Sequence, residues 1–276
     1  MAPRLTASQA KTCIRFLYGR SGFTQRASVC PVCGAKPDRV EFNTPFSPLD
    51  HCAACGHVYT RVMPGKLILK LMYKDLDYWK QDKEHQGITR IDSGPHWKGF
   101  IDARIGALQN NHVLDGLPKK IFEIGCSEGI LLREFENLGH EALGSECNVP
   151  VAEEGMRALG AKIRTGLFEE LPLPHAYYDV VASFHTIEHI PDLHRTFSKI
   201  TDILKPDGLV FIEVPVGSDD YANPDHVQFF SDQSLKHLLK RYFDTVETVP
   251  NRFLNSEGAQ LGSLYGIGRR PKKSSS

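Results

Sequence analysis

IFEIGCSEG, residues 121–129, is the stretch of the chain that decides the fold. Its apolar first half predicts a β-strand, and a Gly-x-x-x-Gly turn from Gly125 to Gly129 follows directly. A helical pattern of apolar residues then begins at Leu131. Glycine lets the backbone approach a ligand closely, and a helix N-terminus offers free N–H groups. This strand–turn–helix unit therefore predicts a ligand site at the carboxyl end of the strand.

The chain beyond residue 120 alternates short apolar runs with helical patterns. The strand candidates are residues 121–124, 142–143, around 163, 179–184, 209–214, 246–249 and 263–267. The helix candidates run from 131 to a stop at Gly139, from Pro150 to Gly160, over 193–204 and over 231–242, and a turn is expected at 205–208. This alternation predicts an α/β fold, a Rossmann-like seven-stranded doubly wound sheet with helices on both faces.

One acidic residue and the absence of two phosphate-binding motifs narrow the class of cofactor that this site could bind. Glu146 follows the second strand candidate, 21 residues after Gly125, where a carboxylate can accept both hydroxyls of a ribose. A G-x-G-x-x-G fingerprint from Gly125 needs glycines where Ser127 and Ile130 stand, and no Gly-Lys-Ser/Thr loop is present. The residues favour a cofactor without a pyrophosphate over NAD or ATP.

Four matches, in chain order, resemble the motifs of class I S-adenosylmethionine-dependent methyltransferases. IFEIGCSEG resembles their E/D-x-G-x-G-x-G signature, with Ser127 in place of the middle glycine, and Glu146 matches their ribose-binding acid. YYDVVASFHTIEHIPD, residues 177–192, resembles their fourth-strand segment, which commonly ends in Glu-His. LKPDGLVFIEVP, residues 204–215, resembles the segment that enters the fifth strand. The resemblance implies methyl transfer with S-adenosylmethionine as the cofactor.

The resemblance also implies which residues bind the cofactor. Glu123 and the turn over 125–129 would hold the methionine part, Glu146 the ribose, and residues 166–168 would lie beside the adenine. The cofactor-binding set is Glu123, Gly125, Cys126, Ser127, Gly129, Glu146, Leu167, Phe168 and Phe184.

Some of these positions have a second interpretation. Leu167 stands where the family often has Asp to bond the adenine amino group, so packing by Phe168 is expected instead. For Gly125 and Gly129 the alternative is simple packing of the helix on the strand, and for Glu146 it is a solvated loop acid.

Two Cys-x-x-Cys-Gly segments precede the α/β region. CPVCG, residues 30–34, and CAACG, residues 52–56, leave eighteen residues between their cysteine pairs. Four thiolates at this spacing converge on one Zn²⁺, and such a closed site is structural because no position is open for water. The predicted ligands of this small N-terminal zinc ribbon are Cys30, Cys33, Cys52 and Cys55. The alternatives are a redox pair of dithiols or unligated cysteines, and the flanking His51 and His57 are left out of the site.

A helical lead-in is expected after the cysteines. CGHVYTRVMPGKLILKLMYKDLDYW, residues 55–79, resembles the zinc module and lead-in of sugar and natural-product methyltransferases. Tyr73, Tyr78 and Trp79 match its aromatic positions, either over the cleft or on a helix face packed against the catalytic domain. A mainly helical pattern runs over 61–112. The apolar residues of one predicted buried face are Trp97, Phe100, Ile101, Ile105 and Leu108.

These patterns divide the chain into five parts. They are an N-terminal arm (1–28), a zinc-binding module (29–62), a helical lead-in or cap (63–112), an S-adenosylmethionine-binding catalytic domain (113–270) and a tail (271–276). The basic C-terminal stretch RRPKKSSS, from residue 269 onward, is expected to be disordered.

Four residues are candidates for handling a proton of the methyl acceptor. His185, Glu188 and His189 cluster at the end of the fourth strand candidate, and His226 lies in PDHVQFFS after the fifth. Histidine titrates near neutrality, so His189 and His226 rank first as a base, His185 follows, and Glu188 is an alternative that orients a histidine. The acceptor atom is left open: a ketosugar carbon needs a base, whereas an amine needs only positioning.

Composition and charge argue against several partners. The 33 Lys and Arg balance 33 Asp and Glu, which favours neither nucleic acid nor an anionic membrane. No apolar run is long enough to span a bilayer, and the N-terminus lacks a secretory signal, although its basic character leaves a transit peptide as an alternative. The seven cysteines do not resemble an export-type disulfide framework, so a cytoplasmic protein of undetermined oligomeric state is expected.

Two other functions compete with methylation of a small-molecule acceptor such as a nucleotide-linked sugar. A nicotinamide-dependent oxidoreductase conflicts with the missing G-x-G-x-x-G. A zinc ribbon that binds RNA or DNA conflicts with residues 34–51, which carry only Lys36 and Arg39 as cations. The predicted partner is therefore a small-molecule acceptor.

Overall fold

The structure is a computed structural model that describes residues 24–44, 47–65, 95–216, 221, 226–254 and 260–272. The strands are β1 (Thr24–Arg26), β2 (Arg39–Asn43), β3 (Pro48–Cys52), β4 (His57–Thr60), β5 (Val62–Pro64), β6 (Lys120–Ile124), β7 (Glu141–Glu146), β8 (Ile163–Thr165), β9 (Tyr178–Phe184), β10 (Leu204–Pro215), β11 (Gln228–Phe229), β12 (Phe243–Leu254) and β13 (Gln260–Pro271). The helices are α1 (Pro95–Asn110), α2 (Ile130–Asn137), α3 (Val149–Leu159), α4 (Leu193–Ile203) and α5 (Asp232–Tyr242). Across these ranges, no helix has the length and apolar character needed to cross a lipid bilayer.

Seven strands form the central sheet, in the order β12-β13-β10-β9-β6-β7-β8. Neighbours among β10, β9, β6, β7 and β8 are parallel, whereas β13 is antiparallel to both β10 and β12. The predicted seven-stranded α/β sheet is confirmed, as a mixed sheet. Strand order reverses between β6 and β9, which makes their carboxyl ends the switch point where such sheets bind ligands.

Alternate residues of the central strands face two different hydrophobic clusters. Ile121 on β6 packs with α1 and α2, where Leu108 and Phe135 are fully buried. Its neighbour Phe122 packs with α4 and α5 on the other face, against a cluster that includes Phe197. The apolar runs read from the sequence are therefore strands covered by helices on both faces.

Helix ends follow the local signals in the sequence. The Asn148 side chain accepts a hydrogen bond from the N–H of Val151 at the start of α3, and Gly160 ends this helix with a φ of 64°. Helix α5 begins with a capping box in which Ser231 and Ser234 bond each other's backbone. These short-range interactions explain why the predicted helix boundaries are close to the observed ones.

The N-terminal part contains a strand pair that the sequence analysis missed. Strand β1 lies within the predicted arm, and it pairs antiparallel with β5, at the start of the predicted helical region. The two segments satisfy each other's backbone groups, although they are almost forty residues apart in the chain. Thr24–Arg26, which the sequence analysis placed in the N-terminal arm, therefore forms a strand.

Three further predictions are corrected by packing and pairing. Phe100 is 38% exposed, because it precedes Ile101 on α1 and so points about 100° away from the buried stripe. The predicted turn at 205–208 lies within β10, as an irregularity in its pairing with β9. Arg269, assigned to the disordered tail, lies in β13 and pairs with residues of both β10 and β12.

Strand β11 joins the N-terminal part to the central domain. It extends the antiparallel sheet β4-β3-β2, with Gln228 opposite Tyr59 and Phe229 opposite Val58. Nε2 of His57 lies 2.9 Å from Oε1 of Gln228. Since the buried cysteines of the N-terminal part share one hydrophobic cluster with α4 and α5, the two parts are packed together rather than merely tethered.

Candidate functional site

A cavity of about 210 Å³ opens at the carboxyl ends of β6, β7 and β9. It is lined by Pro64, Gly65, Ile124, Gly125, Ser145, Cys147, residues 166–170, Thr186, residues 189–192 and Arg195. The cavity is where the strand–turn–helix unit predicts a ligand site. Gly125, Leu167 and Phe168 of the predicted cofactor set form part of its wall.

The two glycines of the turn have different surroundings. Gly125 has a φ of 71°, and a Cβ added there would lie 2.2 Å from Oγ1 of Thr186. Gly129 has a φ of 75°, and its Cβ would lie 2.7 Å from the Cβ of Ala161. Gly125 therefore permits close approach at the cavity wall, whereas Gly129 matches the alternative interpretation, packing of α2 on the sheet.

Glu146 is buried at the end of β7, with 8% of its surface exposed. Its two carboxylate oxygens accept backbone N–H bonds from Ser127 (3.0 Å) and Asn148 (2.7 Å). Burial raises the pKa of Glu146, and these backbone donors oppose that rise. The alternative of a solvated loop acid is wrong. The carboxylate ties the glycine turn to β7, and its sequence neighbours Ser145 and Cys147 line the cavity.

Four other predicted cofactor residues, Glu123, Cys126, Ser127 and Phe184, lie outside the cavity lining. Glu123 is 3% exposed, and burial raises its pKa to about 8 although Arg104 opposes the rise. Cys126 fills the space above Gly144, and the ring of Phe184 lies under the guanidinium of Arg104 at 4.8 Å. Direct cofactor contact by these four residues stays a prediction.

The four predicted catalytic residues come together on one side of the cavity. His189 lines the cavity, and its ring lies 4.6 Å from that of His226, nearly perpendicular to it. Oε1 of the fully buried Glu188 lies 3.5 Å from Nδ1 of His185 and 3.9 Å from Nε2 of His226. The sheet thus brings His226 to the histidine–glutamate segment after β9, as the sequence predicts.

His185 lies between two carboxylates. Its Nε2 is 3.6 Å from Oε1 of Glu213, opposite its contact with Glu188. Burial lowers the pKa of His185, but the two carboxylates outweigh burial and raise the pKa to about 9. His185 is therefore protonated at neutral pH, which makes it a weaker candidate base than His189 or His226.

Glu213 and Arg104 are polar residues that the sequence analysis missed. Glu213, on β10, accepts hydrogen bonds from Oγ of Ser263 (2.8 Å) and Nε of Arg104 (3.3 Å). A glutamate in the buried apolar run LVFIEVP is anomalous, and that anomaly is the signal that could have identified it. The sequence carried no comparable signal for its partners Arg104 and Ser263, because these residues come from α1 and β13, far from Glu213 in the chain.

Several cavity residues were also missed. Cys147 directly follows the predicted acid on β7, so its position could have been inferred from that of Glu146. Thr186 and Arg195 lie in segments whose motifs drew attention to other residues. The predicted aromatic residues Tyr73, Tyr78 and Trp79 lie outside the described residues.

The four cysteines form the predicted cluster. All four Sγ atoms lie within 4.8 Å of one another, with Cys30–Cys55 at 3.6 Å and Cys33–Cys52 at 3.5 Å. Four thiolates around one zinc ion are separated by about 3.8 Å, given a Zn–S distance of about 2.3 Å. The donor set therefore fits a structural Zn²⁺. Neither flanking histidine belongs to the cluster, since His51 contacts Asp38 and His57 contacts Gln228.

The methyltransferase domain family matches residues 103–246, just over half of the chain. The chain belongs to this methyltransferase domain family. The match begins in α1 and ends in β12, so it contains the cavity residues from Ile124 to Arg195 and all four predicted catalytic residues.

Two curated proteins are similar in sequence to the methyltransferase domain of this chain. It is 29% identical over 155 residues to a probable S-adenosylmethionine-dependent methyltransferase of Mycolicibacterium smegmatis, covering 54% of this chain and 60% of the relative. It is 29% identical over 140 residues to the ubiquinone biosynthesis O-methyltransferase of Salmonella paratyphi A, covering 49% and 54%. The chain thus spans between about half and three-fifths of these relatives. Neither supports an oxidoreductase or a nucleic-acid-binding ribbon.

Solved structures share the methyltransferase fold at low identity. A methyltransferase of Methanosarcina mazei superposes with a TM-score of 0.50 at 14% identity, covering 59% of this chain and 98% of that one. Phosphoethanolamine N-methyltransferase 2 of Haemonchus contortus superposes with a TM-score of 0.52 at 13% identity, covering 62% and 53%. At these identities the likeness establishes the fold alone.

Proposed function

We propose that this chain is an S-adenosylmethionine-dependent methyltransferase that acts on a small-molecule acceptor. The observation that carries the proposal is the cavity between the glycine turn and the histidine–glutamate group, since Gly125 and His189 line the same space. Membership of the methyltransferase domain family supports the same chemistry. The names of both relatives, which are methyltransferases, support it as well.

The residues of the cavity fit the cofactor. Leu167 and Phe168 offer apolar contacts for an adenine, and Cys147 lines the same cavity. Each oxygen of Glu146 has one backbone donor, and a carboxylate has about four acceptor positions, so capacity remains for ribose hydroxyls. The turn at Gly125 would face the methionine part.

The protein's residues would position the acceptor and handle its proton. S-adenosylmethionine, when bound, supplies a methyl group on a sulfonium sulfur that is already reactive, so much of the acceleration comes from alignment. His189 faces the cavity and His226 packs against it, which places both imidazoles to take a proton. Glu188 orients His226, and His185 acts as the cation between Glu188 and Glu213.

The acceptor class we propose is a nucleotide-linked sugar or a related metabolite. The support is the resemblance of residues 55–79 to the lead-in of sugar and natural-product methyltransferases. The four-cysteine cluster belongs to the same N-terminal part and would hold a structural Zn²⁺.

Incubating the full chain with S-adenosylmethionine and a panel of nucleotide sugars, phenols and amines tests the proposal. We expect a mass gain of one methylene on a nucleotide sugar, together with release of S-adenosylhomocysteine. His226→Ala should slow turnover by roughly 10²-fold or more. His175→Ala is the matched control, because His175 is exposed and its imidazole pairs with Asp202, outside the cavity lining. Absence of S-adenosylmethionine binding in calorimetry would refute the proposal.

A further inference from the structure

Glu188, His189 and His226 form a second group with the geometry of metal ligands. One ligand atom of each lies within 4.8 Å of the others. Glu188 is fully buried, His226 is 8% exposed, and His189 is half-buried at the cavity wall. Two imidazoles and one carboxylate are a donor set that binds divalent transition metals and leaves coordination positions open.

The carboxylate of Glu188 supplies an independent observation. Both of its oxygens are buried, and neither has a hydrogen-bond partner among the described residues. Ionised groups buried in proteins are as a rule hydrogen-bonded, paired or bound to a metal, because desolvation is costly. His185 and His226 both approach Oε1, at 3.5 Å and 3.9 Å, without hydrogen-bonding the carboxylate. A metal ion between Glu188 and the two histidines would give the carboxylate a direct ligand bond.

Backbone contacts hold the three ligands in place. The N–H of Val227 donates to the carbonyl of Glu188 at 2.9 Å, and the N–H of His189 donates to the carbonyl of Thr186 at 3.0 Å. Nε2 of Gln228 also donates to the carbonyl of Ile190 at 3.0 Å. The segment that carries His226 is therefore fastened to the segment that carries Glu188 and His189, and the ligand atoms converge because the fold directs them.

We infer that Glu188, His189 and His226 bind one divalent transition-metal ion at the cavity wall, and that an oxygen of the methyl acceptor occupies an open position on it. The inference rests on the proposed function, and it specifies a hydroxyl group as the acceptor. The ion faces the cavity because His189 lines it. With the ion bound, this role replaces the base role of His189 and His226 in the metal-free site, because the two histidines then act on the acceptor through the ion.

The chemistry balances without an oxidant or reductant. Coordination lowers the pKa of the acceptor hydroxyl, and its proton leaves to solvent. A lone pair of the oxygen forms the new C–O bond to the methyl carbon. The C–S bond breaks, its electron pair stays on sulfur, and the cofactor leaves as the neutral thioether.

Counting zinc ions on the intact chain by native mass spectrometry tests the site. With Zn²⁺ present, the full chain should carry two ions, one at the cysteine cluster and one at this site. Glu188→Gln and His226→Ala should each lose one ion and keep the other. Cys30→Ser should lose the cysteine-bound ion, and His175→Ala should keep both. Circular dichroism verifies that each variant is folded, and Glu188→Gln preserves side-chain volume.

Only one ion on the original chain, unchanged in Glu188→Gln and His226→Ala, would overturn the inference. Two ions on the original chain and on both variants would overturn it as well. S-adenosylmethionine binding is measured on the same samples by calorimetry. Cofactor binding without a second zinc rejects the metal site and leaves the methyltransferase proposal standing. A second zinc without cofactor binding supports the metal site and rejects the methyltransferase proposal.

Discussion

At the residue scale, the site is built around buried carboxyl groups whose partners differ. Burial alone raises the pKa of Glu213, but His185 and Arg104 outweigh burial and lower the pKa to about 2. Glu146 is held by backbone N–H groups, and Glu123 has one carboxyl oxygen without a hydrogen-bond partner among the described residues. Because desolvation disfavours the charged form, the partners decide which of these groups is ionised.

Glu146→Gln should weaken S-adenosylmethionine binding and leave the fold intact. The substitution removes the charge that would bind the ribose hydroxyls, and hydrogen bonds to charged groups contribute about 1.5–3 kcal/mol. We therefore expect the Kd measured by calorimetry to rise roughly 10- to 100-fold. Glu141→Gln, at the exposed start of the same strand, is the control. An unchanged Kd for Glu146→Gln would remove its assigned role.

Glu123 should make the stability of the cofactor-free chain fall as pH rises. Burial raises its pKa from an ordinary value of 4.5 to about 8. Between these values the folded protein binds a proton that the unfolded chain has released, so the free energy of unfolding decreases with pH. Urea titrations at pH 5 and pH 8 measure the free energy of unfolding. Between these two pH values, the original chain should lose a few kcal/mol that Glu123→Gln does not lose. Parallel pH profiles would contradict the assignment.

At the scale of elements, the turn between β6 and α2 is constrained both by its backbone conformation and by its neighbours. Gly125 combines a positive φ with contact to Thr186, whereas Gly160 at the end of α3 has a positive φ and nothing within 4 Å of an added Cβ. Alanine substitution at Gly160 therefore measures backbone strain alone, whereas substitution at Gly125 adds a steric clash.

Gly125→Ala should destabilise the protein more than Gly160→Ala. Both changes place alanine in the left-handed region, which costs about 1–2 kcal/mol. Gly125→Ala also forces the Thr186 side chain to move, and overpacking adds about 1–3 kcal/mol. Urea unfolding measures the difference, and calorimetry should show reduced S-adenosylmethionine affinity in Gly125→Ala alone. Equal destabilisation of the two variants would show that Thr186 does not constrain the turn.

At the scale of the whole molecule, the cysteine module is joined to the segment that carries His226. Strand β11 follows His226 almost directly and completes the sheet of the module by pairing with β4. The side chain of Gln228 contacts His57 on one side and the carbonyl of Ile190 on the other. We therefore expect a disturbance of the module to reach His226.

Gln228→Ala should lower kcat more than it weakens S-adenosylmethionine binding. The variant leaves the cysteines and the glycine turn untouched but removes the link from His57 to the Ile190 carbonyl. We expect a fall in kcat of about tenfold or more, with the cofactor Kd within about twofold, as for loss of a group that orients a ligand. Removal of zinc with a chelator should act in the same direction, and adding zinc back should restore turnover. Equal loss of cofactor affinity would assign Gln228 to general stability.

The sequence by itself determined the features that depend on neighbouring residues: the seven strand candidates, the helix caps, the glycine turn, the cysteine pairs and the grouping of His185, Glu188 and His189. Tertiary structure decided what depends on residues far apart in the chain. These features are the pairing of β1 with β5 and of β4 with β11, the ordered strand at Arg269, and the contacts of Glu213 with Arg104 and Ser263. Periodicity and local propensity are properties of short segments, whereas the partner of a buried charge or an unpaired strand edge is chosen by the order of strands in the sheet.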